Sequence, residues 1–399
     1  MLNIEKYHFF LKDLESPTHF ISWNFYYMIA SCLSRKVWYG DKEFPVFPNI
    51  YIVFVGEPAV GKSLPAVKST EILKFLMEVY LDKSGNAKYR SLVNISPDST
   101  TLEQLFIELV NATRTVEYSN GGKKDFYTHA SMSFCLGEEM GTLFRDKSND
   151  LVRFLTQGYN CGSFKRSTKT QGKDDIANMC INFLGCCTPE WIQQNISNMM
   201  INEGFTSRVI FIWGAKPRHR IVKIIIDDEQ RKSIIELKKH LVNIAKLFGE
   251  VRMLPDAEEW FTDWVLHKQD TYRINDDPKL KYYYGRKKVH LIKLAIVNHF
   301  SENTSMELNL QDFLAADKAL IDIEKNMHFA LQSKRINPIA EHADRLMSLL
   351  DVCGPMSLKM LVVKSFDWAD EQTTNQAVEY LVLSGKIKPI SGKYERIRI

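Results

Sequence analysis

The chain has 399 residues, of which 45% are hydrophobic and 25% are charged, and its formal net charge is +4. This balance is typical of a soluble protein with a sizeable core, and the length allows two or three domains. Because the net charge is small, a DNA-binding surface would have to gather its basic residues locally. No apolar run approaches the roughly 18 residues that span a bilayer, which argues against a membrane partner.

The cysteines and the first residues bear on the compartment. None of the seven cysteines has the CxxC or Cys–His spacing of a zinc site, and several lie in apolar segments. The opening MLNIEKYHFFLKDLESP is interrupted by acids, so it does not read as a signal or transit peptide. We expect a protein of the cytoplasm.

The first half of the chain predicts an α/β core. Residues 1–46 read as an aromatic-rich, N-terminal helical segment. From 47 to 216, short apolar runs alternate with helical stretches, which favours a sheet covered by helices. The predicted strands are Ile50–Val55, Tyr89–Ile95, Ser131–Leu136, Met179–Leu184 and Val209–Trp213.

Two further regions follow. From 217 to 335 the apolar spacing is helical throughout, which predicts a helical lid domain. Residues 336–399 show three short helical segments and then KIKPISGKYERIRI, which reads as a β-hairpin with Ser391 and Gly392 at its turn. That order of elements is the outline of a winged helix.

The strongest motif is YIVFVGEPAVGKS, an apolar strand that runs directly into G-x-x-x-x-G-K-S. In this pattern the backbone N–H groups of the loop converge on phosphate oxygens, the lysine reaches the β- and γ-phosphates, and the serine hydroxyl binds Mg²⁺. The strand before the loop and the helix after it argue against a chance match. The predicted ATP–Mg²⁺ site comprises Gly56, Glu57, Pro58, Ala59, Val60, Gly61, Lys62, Ser63 and Leu64.

Hydrolysis also needs an acid at the metal and one that polarises the attacking water. The run SMSFCLGEEMGTLF supplies a buried strand that ends in two glutamates. We expect Glu138 to face the metal and Glu139 to orient the water as the catalytic carboxylate. The alternative is that both glutamates only lie in the first turn of a helix, where the positive end of the helix dipole stabilises acidic side chains.

Two residues next to later strands complete the predicted site. Thr188, in CCTPEW, is placed to sense the γ-phosphate or merely to cap the next helix, and Asn182 is a weaker rival for the sensor role. Arg208 immediately precedes the last predicted strand. There it cannot easily reach its own loop, but it can reach the γ-phosphate of a neighbouring subunit. The alternative for Arg208 is a surface ion pair.

The order of these elements resembles the AAA+ class of P-loop NTPases, including the superfamily 3 and MCM-like helicases. A closer resemblance is to the AAA-type ATPases that phages and prophages encode beside replication genes, the primase-associated or replicative helicases. It lies in the segments SCLSRKVWYGDKEFPVFPNIYIVFVGEPAVGKS, TKTQGKDDIANMCINFLGCCTPEWI, EGFTSRVIFIW and GRKKVHLIKLAIV.

This resemblance implies Walker A roles for Lys62 and Ser63, the Walker B role for Glu139 and the arginine finger for Arg208. Thr188 matches a sensor threonine of the family, although Cys187 replaces the threonine before it. Arg286 falls where a second sensor arginine could approach the nucleotide from the helical domain, with a solvated basic turn as the alternative.

Two basic segments are candidate DNA contacts. GSFKRSTKTQGKDDI predicts a hairpin just before the sensor strand, and in ring helicases of this class such a hairpin grips phosphates in the central channel. The second is the wing of the predicted winged helix, although such domains also dock proteins and its third helix has no Lys or Arg. The first aromatic residue of the hairpin is available to pack or to stack on a base. The candidate DNA-binding residues are Phe164, Lys165, Arg166, Lys169, Lys173, Lys388 and Lys393.

Together these features predict a hexameric, ring-forming, ATP-dependent DNA helicase or translocase of a phage or mobile element. ATP would be hydrolysed between subunits, with single-stranded or forked DNA in the channel and a primase or polymerase as partner. Two alternatives stay open. One is a helicase loader or replication-initiator ATPase, and the other is a defence or signalling NTPase whose winged helix binds protein.

Overall fold

The computed structural model describes residues 1–41, 43–81, 84–96, 101–120, 123–137, 140, 144, 149–168, 172–195, 204–269, 273, 280–331 and 338–397, with only the backbone described for a few residues inside helices and strands. Two compact units divide the chain, Met1–Gln332 and Ser333–Ile399. Within the described ranges, none of the helices has the length and apolarity needed to cross a membrane.

The first unit contains both helices and strands. Its helices are α1 (Asn3–Phe10), α2 (Thr18–Leu33), α3 (Ser63–Lys74), α4 (Leu102–Asn111), α5 (Asn149–Tyr159), α6 (Pro189–Asn195), α7 (Phe205–Arg208), α8 (Asp228–Ile244), α9 (Pro255–Asp263), α10 (Lys281–Glu302) and α11 (Leu310–Leu331). A π-helical turn, Trp264–Lys268, continues α9. Its strands are β1 (Val37–Tyr39), β2 (Tyr51–Val55), β3 (Met77–Leu81), β4 (Ala87–Ser91), β5 (Thr113–Asn120), β6 (Lys123–Leu136), β7 (Phe164–Thr168), β8 (Gly172–Ile176), β9 (Met179–Cys187), β10 (Val209–Trp213), β11 (Gly249–Met253) and β12 (Glu307–Leu308).

A five-stranded sheet in the order β10-β2-β9-β6-β5 lies at the centre of this unit. Strands β10, β2, β9 and β6 are parallel, and β5 pairs antiparallel with the first half of β6. Every residue of β2 and β9 is buried, as expected for parallel strands covered on both faces. The unit is therefore mixed α/β with a mostly parallel sheet, as predicted at that level.

Four of the five predicted strands are confirmed as β2, β6, β9 and β10. The ends of β2 and β9 shift slightly, whereas β6 begins at Lys123 rather than at Ser131. The fifth, Tyr89–Ile95, is wrong in its extent. Residues of β4 pair antiparallel with β3 in an exposed hairpin, and only Ile95 forms a parallel bridge, to Ser133 of β6. The physical reason is the polar sequence AKYRS of β4, which suits two solvated faces rather than a buried sheet.

One hydrophobic core joins the N-terminal helices, the central sheet and the helical region. Helix α2 is buried along most of its length and packs on β2, β9 and α10. The region predicted to be helical throughout also contains β11 and β12, which join β1 in a parallel three-stranded sheet. Strands this short leave too little periodicity in the sequence to be recognised.

The second unit has the predicted order of elements. Helices α12 (Pro338–Cys353), α13 (Leu358–Ser365) and α14 (Glu371–Leu383) precede the hairpin of β13 (Ile387–Ile390) and β14 (Lys393–Arg396). Ser391 and Gly392 have φ of 49° and 79° at its turn, as a two-residue hairpin turn requires. Met356 adds an antiparallel bridge to Tyr394.

Candidate functional site

The carboxyl ends of four parallel strands meet at one edge of the central sheet. Val55 of β2 lies in register between Trp213 of β10 and Cys187 of β9, and β6 ends at Leu136, which pairs with Gly185 of β9. Strand β9 lies between β2 and β6 although it follows both in the chain. Ligands of open α/β sheets bind at such carboxyl edges, where the strand order reverses. Residues 56–63, hereafter the loop, begin at this place.

The loop leads directly from β2 into α3. Ala59 and Gly61 have φ of 63° and 85°, a left-handed conformation that folds the loop tightly. A Cβ atom at Gly56 would lie 2.6 Å from the carbonyl oxygen of Gly214, so a side chain does not fit there. Glycine is therefore needed at these two positions of the motif for different reasons. At Gly56 the backbone of Gly214 leaves no room for a side chain, and at Gly61 the backbone has a positive φ.

Lys62 is folded over the loop. Its Nζ donates to the carbonyl oxygens of Gly56 (2.6 Å) and Glu57 (2.8 Å). Burial lowers the pKa of Lys62 below its usual value. In the part of the chain that the structure describes, no carboxylate forms an ion pair with this ammonium. The group is placed to meet an anion above the loop.

A cleft of ≈ 550 Å³ lies above the loop. Besides the loop, its described walls are Glu15–Ser16, Leu64, Gly137, Cys186 and residues 221–224. Ser16 fixes the loop from the N-terminal segment, since its Oγ donates to the carbonyl oxygen of Gly61 at 2.7 Å. Sequence reasoning missed both wall segments because no motif marks them.

Glu15 holds the two wall segments together. One of its carboxylate oxygens accepts from the backbone N–H of Ile221 at 2.9 Å, and the other accepts from Arg220 at 3.2 Å. The backbone N–H of Arg218 also donates to the carbonyl oxygen of Glu15 at 2.9 Å. Residues far apart in sequence thus build one rim of the cleft.

The two predicted acids, Glu138 and Glu139, lie outside the described residues. Gly137, which directly precedes them at the end of β6, is in the wall of the cleft, so the chain enters this segment at the candidate site. Within the described ranges, no group of three or more His, Cys, Asp or Glu is arranged to hold a metal ion.

Thr188 follows β9 at the same edge. The backbone N–H of Gly56 donates to the carbonyl oxygen of Cys187 at 3.3 Å, so Thr188 begins next to the loop. Its Oγ1 accepts from the N–H of Trp191 at 3.2 Å, which is the helix-capping contact considered as its alternative role. The sensor role of Thr188 stays a prediction.

Asn182, the rival sensor, has a structural use for its amide. Its Nδ2 donates to the carbonyl oxygen of Ala30 at 3.1 Å, and its Oδ1 accepts from the N–H of Ile50 at 3.0 Å. The residue is buried in the middle of β9, away from the carboxyl edge. These contacts attach α2 to the sheet.

Arg208 lies at the opposite edge of the sheet, at the amino end of β10. Only 8% of it is exposed, which excludes the surface ion pair. Its Nη1 donates to the carbonyl oxygen of Gly204 at 2.7 Å, and its Nε has no hydrogen-bond partner among the described residues. Burial lowers the pKa of Arg208 to about 10, and the positive charge of Arg286 is the second largest cause.

Arg286 lies beside Arg208 rather than near its own loop. Both guanidinium groups lie over the ring of Tyr159, because α10 packs against α7 at this edge. The length of β2 separates this edge from the protomer's own loop. The structure therefore brings the two arginines together away from that loop, and the sensor role of Arg286 at a nucleotide stays a prediction.

The predicted hairpin before β9 is present as β7 and β8. Phe164 packs on Phe106 and Phe154, with ring centroids 5.1 and 5.4 Å apart, which is the packing role considered for it; the residue is half-buried, and stacking on a base stays a prediction. Lys165 is exposed. Lys169 lies outside the described residues.

Acids oppose the basic residues of this hairpin. Lys165 pairs in register with Asp175, and Arg166 pairs with Asp174. These are backbone pairings, because the side chains of Arg166, Lys173, Asp174 and Asp175 lie outside the described part of the structure. Opposite charges across a hairpin favour its folding and reduce its net positive charge.

In the second unit, Lys388 and Lys393 are exposed on the terminal hairpin. Glu395 lies directly opposite Lys388, and Arg396 forms an ion pair with Asp351. The hairpin therefore carries less unpaired positive charge than its sequence suggests.

No protein-family model matches the chain, and no curated protein matches it either. The candidate site is therefore argued from its own geometry.

Proposed function

We propose that this chain is a P-loop NTPase that binds ATP–Mg²⁺ in the cleft above the loop and hydrolyses the γ-phosphate. One observation carries the proposal: the loop between β2 and α3 brings the Lys62 ammonium, Ser63 and the start of α3 into one cleft at the carboxyl edge. Backbone N–H groups at a helix start suit a polyphosphate, and so does an ammonium that has no carboxylate partner among the described residues.

Each residue of the loop has a part in this proposal. Lys62 exchanges its two carbonyl acceptors for β- and γ-phosphate oxygens, and the pKa lowered by burial is restored by that charge. Ser63 would hold Mg²⁺ through its hydroxyl, with Glu138 as its acidic neighbour; the ion neutralises charge on the phosphates. Glu139 orients the attacking water.

The cleft also has room for the nucleoside. A volume of ≈ 550 Å³ falls within the usual range of small-ligand sites, about 300–1,000 Å³. The rim of Glu15–Ser16 and residues 221–224 lies beside the loop, and Ile221 and Ile224 supply apolar surface for a base. We place the nucleoside against this rim.

We further propose that active sites form between subunits of a ring that moves along single-stranded or forked DNA, as in phage-type replicative helicases. Support comes from Arg208 and Arg286, which form a cationic pair at the edge of the sheet opposite the loop. Within one protomer these two arginines lie too far from the loop to contact the nucleotide bound there. In a ring they could contact the nucleotide bound to the neighbouring subunit.

A second candidate, a loader or signalling NTPase that docks protein, is favoured by the surface of α14. Its exposed residues include Glu371, Gln372 and Glu379, and it contains no Lys or Arg. Such a helix is poorly suited to DNA phosphates.

The deciding experiment measures ATP hydrolysis by the full chain with and without single-stranded DNA, together with strand displacement on a forked duplex. The helicase proposal expects DNA to raise the ATPase rate and ATP to drive displacement. Hydrolysis that ignores DNA would favour the protein-docking candidate. Failure to bind ATP at all would overturn the P-loop proposal itself.

A further inference from the structure

A second cavity, of ≈ 260 Å³, lies apart from the cleft above the loop. It is enclosed by the end of α2, the β3–β4 hairpin and strands β5 and β6, and its described walls share no residue with that cleft. Four cationic side chains reach it: Lys36, Arg90, Arg114 and Lys246.

The acids in its wall are already paired. A carboxylate oxygen of Glu78 accepts from Nε of Arg90 at 2.5 Å. Glu117 pairs with Lys124, outside the cavity wall, at 2.7 Å. Within the described part of the chain, Lys36 and Arg114 therefore have no carboxylate partner.

Lys36 and Arg114 instead use neutral acceptors. The Nζ of Lys36 donates to the carbonyl oxygen of Ala245 at the end of α8. The guanidinium of Arg114 donates to Oδ1 of Asn94 at 2.5 Å and to the carbonyl oxygen of Leu92 at 3.4 Å. Burial, and secondarily the charge of Arg114, lower the pKa of Lys36 to about 8. The charge of Glu78 acts on both cations, but this carboxylate is already paired with Arg90, so positive charge is in excess at the cavity.

His129 provides a second, independent observation that points to a ligand in this cavity. It is 3% exposed and lines the same cavity. Its Nδ1 is 2.7 Å from Oγ of Ser131, while its Nε2 has no hydrogen-bond partner among the described residues. A buried polar atom without a partner is destabilising, and a hydrogen bond to a bound ligand would offset that cost.

We propose that this cavity binds a small phosphate-type oxyanion through Arg114, Lys36, the Nε2–H of His129 and the hydroxyl of Ser133, while the hydroxyl of Ser131 donates to Nδ1 of His129. The described wall contains no Phe, Tyr or Trp, so it offers no surface for a nucleobase. Its volume suits inorganic phosphate or pyrophosphate. Bidentate guanidinium contacts suit such an anion. This site goes beyond the proposed nucleotide site and does not depend on it.

The test uses full-length Lys62→Ala protein, in which phosphate binding at the loop is weakened. Calorimetry with inorganic phosphate and with pyrophosphate, at constant ionic strength, is expected to show saturable binding and a melting temperature that rises with anion concentration. Arg114→Gln and Lys36→Met, each made in this background, should weaken binding at least tenfold. Arg114→Lys should keep part of it, and Lys325→Gln, which alters an exposed ion pair on α11 away from the cavity, should change nothing.

A second readout guards against misfolded variants. The ring resonances of His129 should shift when phosphate is added to Lys62→Ala protein, and should stay in place in the variant that also carries Arg114→Gln or Lys36→Met. Two results would overturn the site: no phosphate or pyrophosphate binding in Lys62→Ala protein, or unchanged affinity in both cavity variants.

Discussion

Arg208 and Arg286 lie over the same aromatic ring, each with its guanidinium carbon 5.9 Å from the ring centroid of Tyr159. They approach this ring from different elements, the end of α7 and the first turns of α10. Within the described part of the chain, neither has a carboxylate partner. Two neighbouring cations of this kind favour an anion from outside the protomer, such as the nucleotide of an adjacent subunit.

The shared-site proposal predicts complementation. Arg208→Ala and Lys62→Ala proteins should each be inactive, but an equal mixture should regain ATPase at about a quarter of randomly formed interfaces, those that combine an intact loop with an intact arginine. Arg231→Ala, an exposed arginine on α8, should be as active as the parent. A mixture no more active than its two components would contradict a site shared between subunits.

Removing the loop ammonium should weaken ATP binding. We expect Lys62→Ala to reduce the affinity for ATP at least tenfold, because a charge-assisted hydrogen bond of about 1.5–3 kcal/mol is lost. Fluorescence titration with a labelled ATP analogue measures this. Lys68→Ala is the matched control: this lysine lies on the next turn of α3 in an exposed pair with Glu71, at 2.8 Å. Equal affinity for ATP in the two variants would show that Lys62 does not contact the nucleotide.

The buried ion pair between α10 and α11 should be important for stability. Lys287 and Glu324 are both fully buried, with Nζ and Oε2 2.8 Å apart, and the hydroxyl of Tyr283 donates to Oε1 at 3.0 Å. Lys287→Met leaves the carboxylate without its cation, so the free energy of unfolding should fall by about 3–5 kcal/mol in denaturant titrations.

The control for this prediction is an ion pair on α11, the helix that carries Glu324. Lys325 and Asp322 form an exposed pair at 2.8 Å, and Lys325→Met should cost at most about 1 kcal/mol. If the free energy of unfolding fell by a similar amount in the two variants, burial would not be what makes the α10–α11 ion pair stabilising.

The imidazole of His290 should make stability depend on pH. It is buried, its Nε2–H donates to the carbonyl oxygen of Ser207 at 2.9 Å, and burial lowers its pKa to about 3. Because the unfolded value is about 6.5, the unfolded state binds the proton first as pH falls. Its contribution to stability is complete above pH 6.5 and is lost progressively towards pH 3.

Between pH 7 and pH 5 this loss amounts to about 2 kcal/mol. Denaturant titrations at the two pH values should therefore show a smaller difference for His290→Gln than for the parent. His219→Gln, at an exposed position, should keep the parental difference. An unchanged pH dependence in His290→Gln would mean that this imidazole does not remain neutral in the fold.

The β7–β8 hairpin offers a test of DNA contact. If Lys165 meets a phosphate, Lys165→Ala should weaken binding of single-stranded DNA and reduce the slope of log affinity against log salt by about 0.7. Lys124→Ala changes an exposed lysine on a different hairpin and should leave the slope unchanged. Identical slopes in both variants would argue against this hairpin as the DNA contact.

Local patterns were sufficient for part of this protein. Strands β2, β9 and β10 are continuous apolar runs that end in turn residues, and the turn at Ser391 and Gly392 needs positive φ at both positions. Gly61 is required for the same reason within the loop. Such features depend on about ten neighbouring residues, so the sequence alone determines them.

Tertiary packing decided the rest. The sequence leaves open whether Phe164 packs or stacks on a base, and only the fold shows that it packs on the rings of Phe106 and Phe154. Arg286 lies beside Arg208 because α10 packs on α7. The partners of a side chain come from segments distant in the chain, and no local periodicity records which segments will meet.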